Sequence, residues 1–138
     1  MVLCCTTVGF MNPSILQYLQ KASQLLADAK LLFAEDRFDS ATDRTYYAFY
    51  WSAQAALLSK NIVTKSHRGL SNQFSKEFVK DGPVSKESFR HLKAAFRLRH
   101  ESTYEAGALI DESQLEVLIH QAELFINEIE GIVNELEA

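Results

Sequence analysis

A chain of 138 residues has room for one domain with a sizeable core and too little for two. Hydrophobic residues make up 47% and charged residues 23%, which excludes a disordered chain. The net charge of −4 conceals a division: positions 37–100 hold 12 Lys and Arg against 5 Asp and Glu, whereas positions 101–138 hold 10 acids and no Lys or Arg.

A phosphate-facing surface backed by an acidic outer face fits this asymmetry, and so do two solvated helix faces that attract each other, the commoner arrangement. Five glycines and two prolines are few for the tight turns of a sheet protein and favour an all-α fold.

The segment 1–11 contains adjacent cysteines, Cys4 and Cys5, with neither metal spacing nor a disulfide framework, as suits a reducing cytoplasmic compartment. It lacks a basic start and is too short for a secretory signal or a membrane span, so no membrane partner is expected. It is predicted to be a disordered N-terminal extension, followed by a single helical domain over 12–138.

Asn12 and Pro13 form a helix start, an N-cap followed by a residue whose missing N–H costs nothing there. The predicted first helix runs to Ala34, burying Ile15, Leu19, Ala22, Leu26, Ala29 and Phe33 at steps of three and four. After a polar turn, Asp39 or Ser40 is expected to cap a second helix ending near Asn61.

That helix carries Tyr46, Tyr47, Phe49, Tyr50 and Trp51, five rings in six positions, which packing alone can explain. Along it Thr45, Ala48, Ser52, Ala55 and Ser59 form a narrow stripe of small side chains. Large groups on its other sides make it the central post of a bundle or the wall of a dimer.

The stretch from Ile62 to Arg68 reads as a connection, and Gly69 to Lys80 as a short third helix. Ser85 caps a fourth helix, with Phe89, Leu92, Ala95, Phe96 and Leu98 facing inward. Asp111 and Gln114 resemble a capping box for the last helix, whose apolar stripe runs from Leu115 to Leu136. The expected architecture is an antiparallel up-and-down bundle of about five helices.

Two clusters carry candidate chemistry. Arg97, Arg99, His100 and Tyr104 stand where the fourth helix ends; guanidinium, imidazole and phenol groups there can hold a phosphodiester and move protons at an RNA 2′-hydroxyl without metal. A basic helix terminus that offsets the macrodipole is the plainer account. Lys65, His67 and Arg68 can bind phosphate or an acidic partner, with a solvated loop as the plainer account. The four histidines show no ligand spacing, so neither metal nor other cofactor is expected.

These residues also resemble a known family. The segments RTYYAFYWSAQAALLSKN, KSHRGLSNQFSKEFVKDGPVSKES and LRHESTYE, in this order and spacing, are similar to the HEPN family, in particular its prokaryotic stand-alone branch. The likeness runs from about Ile15 to Glu137. It implies a helical bundle that forms a homodimer with a cleft between subunits, and an RNA or nucleotide ligand.

It further implies a component of a toxin–antitoxin or defence module, with a minimal nucleotidyltransferase antitoxin as partner and metal-independent ribonuclease activity. The alternative is a non-catalytic nucleotide-binding or partner-binding module that works with the nucleotidyltransferase. The family's catalytic signature is Arg, four to six residues, then His. Arg99 matches the Arg, but Tyr104 stands in place of His and Thr103 where the branch commonly has Asp.

The implied catalytic residues are Arg99, His100 and Tyr104, and the implied substrate-binding residues Arg97, Lys65, His67 and Arg68. His100, next to Arg99, projects about 100° from it around the helix. Tyr104 is also the implied target of nucleotide transfer by the partner.

Overall fold

The computed structural model describes residues 12–106 and 109–137, with Tyr104 described by its backbone alone. The segment 1–11, read above as a disordered extension, lies outside the described residues. The described chain forms five α-helices: α1 (Pro13–Ala34), α2 (Phe38–Leu58), α3 (His67–Phe74), α4 (Lys86–Tyr104) and α5 (Glu112–Glu137). It is all-α, with no strand among the described residues.

Three starts are set by local chemistry. The Asn12 side chain accepts from Ser14 N at 2.8 Å with Pro13 in the first turn, and Ser85 accepts from Ser88 N at 3.0 Å. Asp111 accepts from Ser113 N and Gln114 N at 3.0 and 3.2 Å. Each satisfies backbone donors that have no partner inside the helix.

Two starts differ from expectation. Helix α2 begins at Phe38 after Arg37, not at Asp39 or Ser40, because the chain turns early. Asp36 is left-handed with φ 58°, Arg37 N donates to Leu32 O at 2.8 Å and Asp36 N to Phe33 O at 3.0 Å. This Schellman closure brings Phe38 against Phe33, ring centroids 5.3 Å apart. Asn61, with φ 62°, closes α2 in the same way, with Ile62 N on Leu57 O at 3.0 Å.

Helix α3 begins at His67, two residues before the predicted start, because Ser66 caps it and accepts from Gly69 N at 2.9 Å. It continues as a π-helical turn over Ser75–Val79. The chain then folds back so closely that a Cβ on Gly82 would lie 2.3 Å from Phe78 O, and Val84 N donates to that same carbonyl at 2.9 Å. Glycine is required here by close approach.

The pairings run antiparallel. Phe33 meets Phe38 and Tyr18 meets Trp51 across α1 and α2, the second pair with centroids at 5.0 Å. Asp43 meets Arg99 and Tyr46 meets Phe96 across α2 and α4. Ser88 Oγ donates to Glu128 Oε1 at 3.1 Å across α4 and α5. Helix α2 packs on all four other helices, so it is the central post.

Its small-residue stripe is fully buried at Thr45, Ala48, Ser52 and Ala55. The hydroxyls there are satisfied by their own helix: Thr45 Oγ1 donates to Ala41 O at 2.7 Å and Ser52 Oγ to Ala48 O at 2.8 Å. They therefore add no unpaired polar atom to the core and leave room for close helix approach.

Phe49, Phe74, Phe78 and Phe125 fill the centre with Ile15, Leu57, Leu92 and Ile129. Burying a side chain of this size contributes about 1.5–3 kcal/mol. Phe33 and Phe96, expected inside, are only partly buried, and Leu136 is exposed. Among the described residues no helix is long and apolar enough to cross a membrane.

Candidate functional site

Asp43, Tyr46, Tyr47 and Tyr50 recur at steps of three, one and three on α2, so they share one face. Helix α4 brings Arg99 to this face, and its Nε donates to Asp43 Oδ1 at 3.1 Å. The other Asp43 oxygen accepts from Arg44 Nη1 at 3.0 Å. The Arg99 guanidinium lies 5.2 Å from the centre of the Tyr47 ring and 6.0 Å from that of Tyr46.

Burial acts to lower the Arg99 pKa, but the Asp43 carboxylate and the facing Tyr47 and Tyr46 rings outweigh it, so the pKa is raised and the group stays charged. Its Nε is engaged by Asp43, and its Nη groups carry the remaining donors of the guanidinium fork.

Helix α3 supplies the third part. Buried Gln54 accepts from Thr64 Oγ1 at 3.2 Å and donates to Thr64 O at 3.3 Å, fastening the connection that leads into Ser66 and His67. His67 thereby meets Tyr46, whose hydroxyl lies 2.6 Å from His67 Nδ1. The imidazole packs among Tyr50, Phe96 and Tyr47, centroids 5.4, 5.3 and 6.0 Å away.

Burial, with like effects from Tyr47 and Tyr50, pushes the Tyr46 phenol well up, so it keeps its proton. Burial and the Arg99 charge push the His67 pKa down, so the ring is neutral at pH 7. With both groups neutral, the Tyr46 hydroxyl and His67 Nδ1 share one hydrogen bond, whose direction is set by the tautomer of the imidazole.

The outer side of this cluster opens into a groove of about 430 Å³ lined by His67, Arg68 and Ser71 of α3 and Lys93, Phe96 and Arg97 of α4. Its lining contains three cations and no carboxylate. Arg68, Lys93 and Arg97 are exposed.

The two sequence clusters thus meet, in a different grouping from the one sequence suggested. Arg99 and His67 share Tyr46, whereas Arg97, Arg68 and His67 share the groove. Lys65 is exposed in the connection before α3 and does not line the groove. His100 is exposed beside Phe96, centroids 6.2 Å apart, away from the Asp43 contact of Arg99. The Tyr104 side chain lies outside the described residues.

Sequence reasoning passed over Asp43, Lys93 and the polar roles of Tyr46 and Tyr47. The helical spacing of Asp43 with three tyrosines was the available signal, since a carboxylate among rings on one face needs a cation. Chemically the arrangement offers a fixed guanidinium, a neutral imidazole with an N–H donor and an open cationic groove, a set suited to an anionic ligand.

Comparison with known proteins agrees with this helical architecture. The HEPN domain family model matches residues 15–132. A protein of Thermotoga maritima named "UPF0332 protein" is 35% identical over 116 residues, covering 82% of this chain and 86% of its own. A Methanocaldococcus jannaschii protein named "Putative toxin MJ0142" is 31% identical over 109 residues, covering 79% and 74%. A Gloeobacter violaceus protein, "UPF0332 protein glr0978", is 33% identical over 117 residues, covering 84% and 93%. With a family match over most of its length and relatives of this identity and coverage, the chain belongs to the HEPN domain family.

Proposed function

We propose that this chain is the toxin component of a toxin–antitoxin module, acting in the cytoplasm on RNA as a homodimer whose cleft holds Arg99. The observation that carries the reading is the Asp43–Arg99 pair: a charged guanidinium oriented by Asp43 at 3.1 Å over two tyrosine rings, beside a neutral imidazole. Relatives whose names describe toxins support it. The proposed partner is a minimal nucleotidyltransferase that restrains the toxin, with Tyr104 as the target of nucleotide transfer.

In this reading Arg99 binds the scissile phosphate, and Tyr104 or His100 orients or protonates the leaving group. Arg97, Arg68, His67 and Lys65 serve substrate binding. A second reading, a non-catalytic nucleotide-binding or partner-binding module, is favoured by the presence of Tyr104 where the family signature has His. In that case Arg99 holds a phosphate that is never cleaved.

Cleavage of a mixed RNA pool in excess EDTA decides between them, using the wild type, Arg99→Ala and Tyr104→Phe, each checked for an unchanged helical spectrum. A toxin cuts as wild type, and Arg99→Ala cuts at least a hundredfold more slowly, the scale of one lost electrostatic stabiliser. Absence of cutting by the purified wild type, with RNA binding retained, overturns catalysis and leaves the binding module.

A further inference from the structure

Three cations in one groove repel each other, and the fold supplies no carboxylate to the lining of the α3–α4 groove to relieve them. Some cations elsewhere are answered within the chain, namely Lys30 by Glu123, Lys60 by Glu77 and Arg44 by Asp43. Among the described residues, Arg68, Lys93 and Arg97 make no ion pair, and Lys93 instead lies 5.5 Å over the Phe89 ring.

The groove floor is aromatic: Phe96 is only partly buried and packs against His67, the rings tilted by 31° with centroids 5.3 Å apart. Lys93 and Arg97 are one turn apart on α4, about 6 Å along the axis, close to the step between successive phosphates of an extended strand. Arg68 faces them from the first turn of α3, at the positive end of that helix.

We infer that this groove is a binding track for single-stranded RNA flanking the bond held at Arg99, with Lys93, Arg97 and Arg68 on successive phosphates and a base stacked on Phe96. The inference rests on the RNA reading above and deepens it, adding Lys93 and Phe96 to that site. A strand is favoured over a duplex because one partly exposed ring in a groove between two helices accepts an unpaired base and has no place for a stacked pair. His67 lines the groove and also contacts Tyr46, the ring that Arg99 overlies at 6.0 Å.

The test needs no cleavage. Anisotropy of a labelled single-stranded RNA 12-mer is titrated in EDTA over a range of salt with the full chain, the triple variant Arg68→Ala/Lys93→Ala/Arg97→Ala, Arg99→Ala and, as a control outside the groove, Lys21→Ala. The triple variant is expected to bind at least tenfold more weakly. Its slope of log affinity against log salt should be shallower by about 2, from roughly 0.7 per phosphate contact on a single strand. Phe96→Leu should weaken binding severalfold with the salt slope unchanged, which separates stacking from charge.

Lys21→Ala should retain the wild-type affinity, and Arg99→Ala, which loses one phosphate contact against three, should weaken binding less than the triple variant does. If the triple variant binds as wild type while Arg99→Ala loses the RNA, the track is overturned and the function proposed above stands. If the wild type binds no RNA, both fall. If duplex RNA of equal length competes as well as the single strand, the groove is a general phosphate surface and the strand-specific inference is overturned.

Discussion

Arg97 and Arg99 lie two residues apart on α4, yet the fold treats them oppositely. Two steps of a helix rotate a side chain by about 200°, so Arg99 enters the bundle against Asp43, Tyr46 and Tyr47 while Arg97 stands in the groove with Lys93 and Arg68. The Arg99 side chain is 20% exposed and paired, whereas Arg97 is exposed and makes no ion pair among the described residues. A guanidinium held by its own protein is oriented before any ligand arrives; one left in water is available to any anion and contributes little to stability.

That contrast can be broken most severely at Tyr46, the ring that touches both regions. Tyr46→Ala removes a fully buried ring and should cost about 3–5 kcal/mol of unfolding free energy in urea, whereas Tyr46→Phe, which keeps the ring and loses only the hydrogen bond to His67, should cost about 1–2 kcal/mol. Equal losses for the two would mean that the hydrogen bond, and not the ring, holds the regions together.

A smaller effect is expected at the pair itself. Asp43→Asn leaves the half-buried Arg99 without its counter-charge and should cost about 1–2 kcal/mol after allowance for solvent screening. Arg97→Ala should stay within about 0.5 kcal/mol. A comparable loss at Arg97 in the same denaturation assay would show that the groove cation is structural and end the distinction.

The smallest effect is the pH dependence at His67. Its folded pKa lies below the ordinary 6.5 because burial, then the Arg99 charge, disfavour the imidazolium. Below pH 6.5 the unfolded chain therefore takes up a proton that the folded chain resists, and this contribution to stability falls as pH drops through 6.5 towards the folded pKa. Removing the Arg99 charge in Arg99→Ala should raise the His67 pKa, read from its ring-proton chemical shift against pH, and flatten that decline. An unchanged titration would mean that burial alone sets it.

The charge division along the chain foreshadowed a basic surface but not which cations share it. Lys65, two residues before α3, was grouped in sequence with His67 and Arg68 yet stays outside the groove, and Lys93, grouped with nothing, lines it. The outcome turned on the start of α3. Ser66 as its cap places His67 and Arg68 in the first turn of a helix, where a connection had been expected, and so turns them towards α4.

Sequence by itself determined the helical class and the starts at Asn12, Ser85 and Asp111, because capping is settled within three residues of chain. It also determined most of the buried faces, because helical periodicity decides which side chains can share a side. Tertiary structure alone decided the site. Asp43 and Arg99 are 56 residues apart and Tyr46 and His67 are 21 apart, so their meeting depends on how α3 and α4 dock on the central helix. No local pattern encodes that docking; it follows from close packing of α2 against every other helix.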